Sequence, residues 1–89
     1  MEYMAKVLIK LKNGVLDPQG KTICDSINAL GFAGVYDVRV GKLIELKLQG
    51  KNEKDISKQI ERMCNKLLVN PVIENFEYEI VGGYKRKNK

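Results

Sequence analysis

The chain contains no histidine, and only two cysteines and two prolines among its 89 residues. Without histidine it lacks the commonest general base and the usual activator of a serine or cysteine nucleophile. Two isolated cysteines with no histidine do not make a zinc site. Cys24 and Cys64 each fall among the apolar positions of a predicted helix, which reads as buried, reduced thiols and not as a disulfide. No apolar run approaches the roughly 20 residues of a membrane span. Nor does a basic-then-apolar signal segment open the chain, so a cytoplasmic protein is expected. The nearest approach to a glycine-rich phosphate loop, GFAG at residues 31–34, is too weak a match to count. The acids are scattered over predicted helix and strand surfaces. These absences disfavour an enzyme acting alone, and no catalytic residue, metal or cofactor is expected.

Charge is present but misleading. The net charge is +5, from 16 basic and 11 acidic residues. Lys85, Arg86, Lys87 and Lys89 stand behind Gly82-Gly83, and without them the count falls from 16 to 12 against 11, a net of +1. The expected division is therefore a single domain over residues 1–81 and a basic, solvated tail over 82–89. Nucleic acid and membrane are not expected partners.

What the sequence does offer is residues 35–48, VYDVRVGKLIELKL. Even positions (Tyr36, Val38, Val40, Ile44, Leu46, Leu48) are nearly all apolar, and the odd positions Asp37, Arg39, Glu45 and Lys47 are charged, with Leu43 breaking the polar face. That alternation gives a strand one oily and one wet face. A two-residue hairpin at Gly41-Lys42 would flip the apolar set halfway along, which a half-buried sheet does not tolerate. Two arrangements survive: one strand bent at Gly41, or a hairpin with a three-residue loop. The single strand would span roughly 45 Å, more than a sheet this small uses. Such spare length can be lent to a second subunit, and the single strand is the reading favoured here.

The remaining elements follow in order. Ala5, Val7, Ile9 and Leu11 alternate with lysines, predicting a first strand over residues 3–12. Leu8, like Leu43, breaks the polar face, which hints that the second face of the sheet is partly covered, as in a dimer. Asp17 caps a helix that opens on Pro18, shows an Ile23, Ile27, Leu30 stripe, and ends at Gly31. Gly20 in its first turn is either packed against closely or simply tolerated. Asn52 caps a second helix with Glu53 and Asp55 in its first turn. Ile56, Ile60, Met63, Cys64 and Leu67 form its apolar stripe, and Asn70-Pro71 stops it. A last strand spans residues 74–81, with Phe76, Tyr78 and Ile80 inward. The fold class is α+β: strand, helix, long bent strand, helix, strand, with two helices on one face of a largely antiparallel sheet. It is related to the ferredoxin-like order, which it would match if the long strand folded as two.

Three nonenzymatic functions fit that outline. A single-stranded RNA binder needs aromatics on its exposed sheet face, and the odd positions Asp37, Arg39, Glu45 and Lys47 supply none. A ferredoxin-like, dimeric regulatory module could bind a small molecule near Gly14, Val15 and Leu16. The third is a structural subunit that holds larger proteins together.

NGVLDPQGKTI (residues 13–23), LGFAGVYDVRVGKLIEL (30–46) and CNKLLVNPVIENFEYEI (64–80) together resemble the PurS family, the small subunit of phosphoribosylformylglycinamidine synthase. The likeness runs from Lys6 to Ile80 without an evident gap and does not extend to the GGYKRKNK end. It implies a noncatalytic subunit in the fourth step of purine synthesis, where formylglycinamide ribonucleotide, glutamine and ATP give the amidine. The partners it implies are a large synthetase subunit, a glutaminase subunit, and a second copy of this chain, as a homodimer or tetramer. Dimeric small subunits would join the other two and support ammonia transfer between them. The same resemblance points to subunit-contact candidates. Asp17 and Pro18 match the helix entry, with Gly20 close behind. Arg39, Gly41 and Lys42 match the VRVGK segment, and Asn70 and Pro71 the turn after the second helix. Each also has a plain structural role open to it: capping, solvated charge, bend or turn.

Overall fold

Alternating side chains make β1, Glu2–Leu11, the centre of the molecule. Its odd positions Tyr3, Ala5, Val7 and Ile9 are all buried. The computed structural model describes residues 1–84; the tail residues Lys85 to Lys89, where the basic end was expected, lie outside the described residues. β1 is followed in chain order by α1 (Pro18–Ala29), β2 (Lys42–Gln49), α2 (Glu53–Met63) and β3 (Glu74–Tyr84). The sheet order is β2-β1-β3, with β1 antiparallel to both neighbours. The fold class is α+β, as the alternation and helix signals predict. β3 runs three residues past the expected end at Val81, because Gly83 and Tyr84 pair with Tyr3 and Glu2 beyond an irregularity in the ladder.

α2 covers this sheet. Asn52 Oδ1 accepts from the Asp55 amide at 2.9 Å, and Glu53 and Asp55 sit in the first turn where the helix dipole favours them. Ile56, Ile60 and Cys64 are buried in one cluster with Tyr3, Ala5, Val7 and Ile9 of β1. Leu67 does not follow them and is 81% exposed. The cause is a π-helical turn over Cys64–Leu68, closed by Val69 N donating to Cys64 O at 3.0 Å. One extra residue in that turn rotates Leu67 outward and brings Leu68 and Val69 over the core instead. Burial pushes the Cys64 thiol above its usual range, with the Glu61 charge adding to it. Both cysteines are free, but Cys24 is only half-buried, short of the expected burial.

α1 departs most from expectation. Its caps are as predicted: Asp17 Oδ1 accepts from the Gly20 amide at 2.9 Å, Pro18 opens the first turn, and Gly31 follows the helix at φ +92°. Its stripe, however, is not buried: Ile23 and Leu30 are exposed, the latter at 76%, and Gly20 is the one buried residue of the helix. The reason is placement, since α1 has no more than glancing contact with the strands of its own sheet. Ile44, Leu46 and Leu48 on β2 are consequently only half-buried.

The connection from α1 explains that placement. Residues 35–41 run into β2 without a ladder partner among the described residues, so the three-residue hairpin is not formed. Of the expected strand over residues 35–48, Lys42–Gln49 is laddered and the first half projects as an arm. Tyr36 on it is 94% exposed. The radius of gyration is 17.2 Å, against about 12 Å for a close-packed chain of this length. The molecule measures 50 × 32 × 19 Å. A three-stranded core with one packed helix carries a second helix held out on an arm.

Candidate functional site

All eight sequence candidates gather at one end of the sheet, where the arm leaves it. Asp17 is the centre. Its Oδ1 caps α1 through Gly20 N, and its Oδ2 accepts from Val40 N at 2.8 Å, tying helix entry to arm. Those two amides, Val40 first, hold its carboxyl below the usual range; burial opposes them more weakly, and the nearby Arg39 charge adds the smallest push downward. The carboxylate is covered by its own loop, not by the depth of the core.

Gly20 is required by close packing. A Cβ there would meet the Val38 carbonyl oxygen and lie 2.8 Å from Asp17 Oδ2. Gly41 has no left-handed φ. It is needed because a Cβ would sit 2.7 Å from the Ile9 carbonyl oxygen on β1. Close approach of backbones, and not freedom to bend, explains both glycines.

The two cations have intrachain partners. Arg39 donates to Val15 O at 3.1 Å and to Lys12 O at 3.2 Å, pinning the loop after β1 to the arm. Lys42 reaches across β1 to Glu74 Oε2 at 3.5 Å. Glu74 Oε1 in turn accepts from Asn70 N at 2.8 Å, and Asn70 Oδ1 accepts from Val72 N at 3.1 Å. Lys42, Glu74, Asn70 and Pro71 thus form one connected corner. Sequence reasoning missed Glu74, whose signal was an acid four residues beyond Asn70 at the start of a strand.

Between α1 and the arm lies a cleft of ≈ 550 Å³ whose lining includes Gly14, Val15, Leu16, Cys24 and Arg39. The position expected for a small-molecule pocket is therefore concave. Its charged lining residues have both signs. Among the described residues, no group of three or more His, Cys, Asp or Glu side chains is placed to hold a metal. No described helix is long and apolar enough to cross a membrane.

The fold and this junction define a class: an open α+β unit whose polar side chains are occupied in holding a helix-bearing arm at a set angle. The family is narrower. The PurS profile, described as phosphoribosylformylglycinamidine (FGAM) synthase, matches residues 4–82. The chain is 46% identical over 78 residues to the phosphoribosylformylglycinamidine synthase subunit PurS of Methanocaldococcus jannaschii, covering 88% of this chain and 94% of that protein. It is 41% identical to the Bacillus subtilis subunit of the same name, over 88% of this chain and 92% of that protein. Among solved structures it is similar to Methanocaldococcus jannaschii PurS, with TM-score 0.79 and 45% identity over 88% of this chain and 94% of that one. It is also similar to a chain in the structure of PurLQS from Thermotoga maritima, with TM-score 0.85 and 27% identity over 91% and 99% of the two chains. The chain belongs to the PurS family of FGAM synthase subunits.

Proposed function

We propose that this chain is the small, noncatalytic subunit of an FGAM synthase, working as a homodimer that joins a glutaminase subunit to a synthetase subunit. Residues 1–81 are its working domain, and its place of work is the cytoplasm. The observation that carries this reading is the uncovered arm. α1 leaves its apolar stripe exposed while the inner face of β2 is half-covered and the outer edge of β2 is unpaired among the described residues. A second copy answers both needs. Its arm can add a strand beside β2 and its α1 can lie on Ile44, Leu46 and Leu48, completing in trans the four-stranded, two-helix layer that one chain leaves open.

The junction residues then have a mechanical part in assembly. Asp17, Pro18, Gly20, Gly41, Asn70 and Pro71 set the direction of the arm, and Arg39 and Lys42 place cations where it leaves the sheet. Ammonia released into water would be protonated or lost, so the two active sites must be docked with a shielded path between them. A rigid dimer raises the docked fraction without entering either reaction. Amidine formation by the synthetase and glutaminase subunits, with and without this chain, tests the reading. With glutamine as nitrogen source the chain is required, and with added ammonia it has little effect. Equal rates with and without it under glutamine would refute the proposal.

The cleft beside Gly14, Val15 and Leu16 favours a second reading, a dimeric regulatory module for a small ligand. A panel of amino acids and nucleotides that raises the melting temperature would support it.

A further inference from the structure

The face of the sheet opposite α2 is not uniformly polar. Leu8 and Leu43 are directly opposed in the β1–β2 ladder, and they are 43% and 55% exposed. They form part of a groove of ≈ 400 Å³ where the arm joins β2, with Val40 beside them and Lys10, Arg39 and Lys42 around them. Every ionisable residue lining the groove is basic, while the concavity on the far side of the same two leucines is bordered by Lys6, Glu77 and Glu79. Glu77 and Glu74 approach Lys10 and Lys42 at 3.8 and 3.5 Å without lining the groove, and Arg39 directs its donors to carbonyl oxygens, with the Asp17 carboxylate as its weak electrostatic neighbour outside the groove. The Lys10 pair is solvent-exposed and contributes little, so an incoming carboxylate can displace it.

We infer that this groove is the seat of an acidic–apolar segment of a larger partner subunit, an apolar side chain entering between Leu8 and Leu43 with flanking carboxylates on Lys10, Arg39 and Lys42. The inference rests on the proposed role as a joining subunit and adds which surface meets the other protein. A second copy centred on this groove is disfavoured by charge. In a two-fold pair a patch on the axis meets itself, and that would set these three cations against their own copies. A heterologous partner carrying acids meets no such repulsion, and apolar contact ringed by charge complementarity is the usual anatomy of such a contact.

The test uses the full chain and its purified synthetase and glutaminase subunits, with complex formation followed by sedimentation at low and at physiological salt. Lys10→Glu and Leu8→Glu should each weaken binding by about tenfold or more. Lys47→Glu, the same charge change elsewhere on that face, should stay within about twofold. The mass of the free chain should be unchanged in all three. Wild-type-like binding by both groove variants would overturn the inference, as would an equal loss in Lys47→Glu. Dissociation of the free oligomer by the groove variants would also overturn it, since the face would then be a self-contact. Failure of the wild-type chain to bind the other subunits would instead refute the joining role, and the inference with it.

Discussion

Replacing Gly20 by alanine should destabilise this protein, although the helix alone predicts the opposite. In a solvent-facing helix the change stabilises by about 1 kcal/mol, because glycine has more backbone freedom to lose. Here the new Cβ would overlap the Val38 carbonyl oxygen and press on the Asp17 carboxylate that caps the same helix. The first obstacle is backbone and cannot rotate away. Overpacking of this kind costs about 1–3 kcal/mol. Because the overlap is deep, the upper part of that range applies, leaving a net loss of about 1–2 kcal/mol. For a domain this size that lowers the melting temperature by about 5–15 °C. Thermal and urea unfolding followed by circular dichroism would measure it, at fixed protomer concentration because a dimer's stability depends on concentration. Ser26→Ala, at an exposed site in the same helix, should be neutral or stabilising by a few tenths of a kcal/mol. A Gly20→Ala protein as stable as the wild type would show that α1 does not pack on the arm in this way.

Other expectations follow from the same structure. Because the folded-state pKa of Asp17 is depressed, its stabilising effect is present above the unfolded value near 3.8 and is lost as pH falls through the lower folded value. Asp17→Asn should therefore lose part of the acid limb of the stability–pH profile, and an unchanged limb would contradict the carboxylate's contacts. Leu67→Ala should cost less than about 0.5 kcal/mol, as an exposed site does, whereas Ile60→Ala should cost about 2–5 kcal/mol. Urea midpoints would reveal a comparable loss if the π-helical turn were absent. Light scattering should give twice the 10.1 kDa chain mass for the wild type and a lower average for Leu30→Lys, which charges the exposed stripe of α1.

The elements were legible because local chemistry specifies them. Period-two alternation marked β1, β2 and β3, and Asp17-Pro18, Asn52 and Gly31 marked helix ends through groups that act within one turn. Parity at Gly41 ruled out the tight hairpin and foresaw an arm. What stayed hidden depends on tertiary placement. The Ile23, Ile27, Leu30 stripe reads as core whether its sheet belongs to the same chain or to another, so periodicity could not say that α1 stands off its own sheet. The outward turn of Leu67 depends on one extra residue in a helical turn, which no propensity encodes. The candidate site was found as a set of residue types, but its logic was not. Gly20 and Gly41 owe their identity to carbonyl oxygens at Val38 and Ile9, and Arg39 and Lys42 to partners 24 or more residues away. Glu74 carried no signal strong enough to join them.

As a joining subunit, the chain keeps two active sites coupled without doing chemistry itself. The ratio of glutamate released to amidine formed tests it most directly, measured with the glutaminase and synthetase subunits in the presence and absence of this chain. The ratio should be close to one with the chain present and show a clear excess of glutamate without it, as ammonia escapes. A ratio that does not change on adding the chain would contradict it.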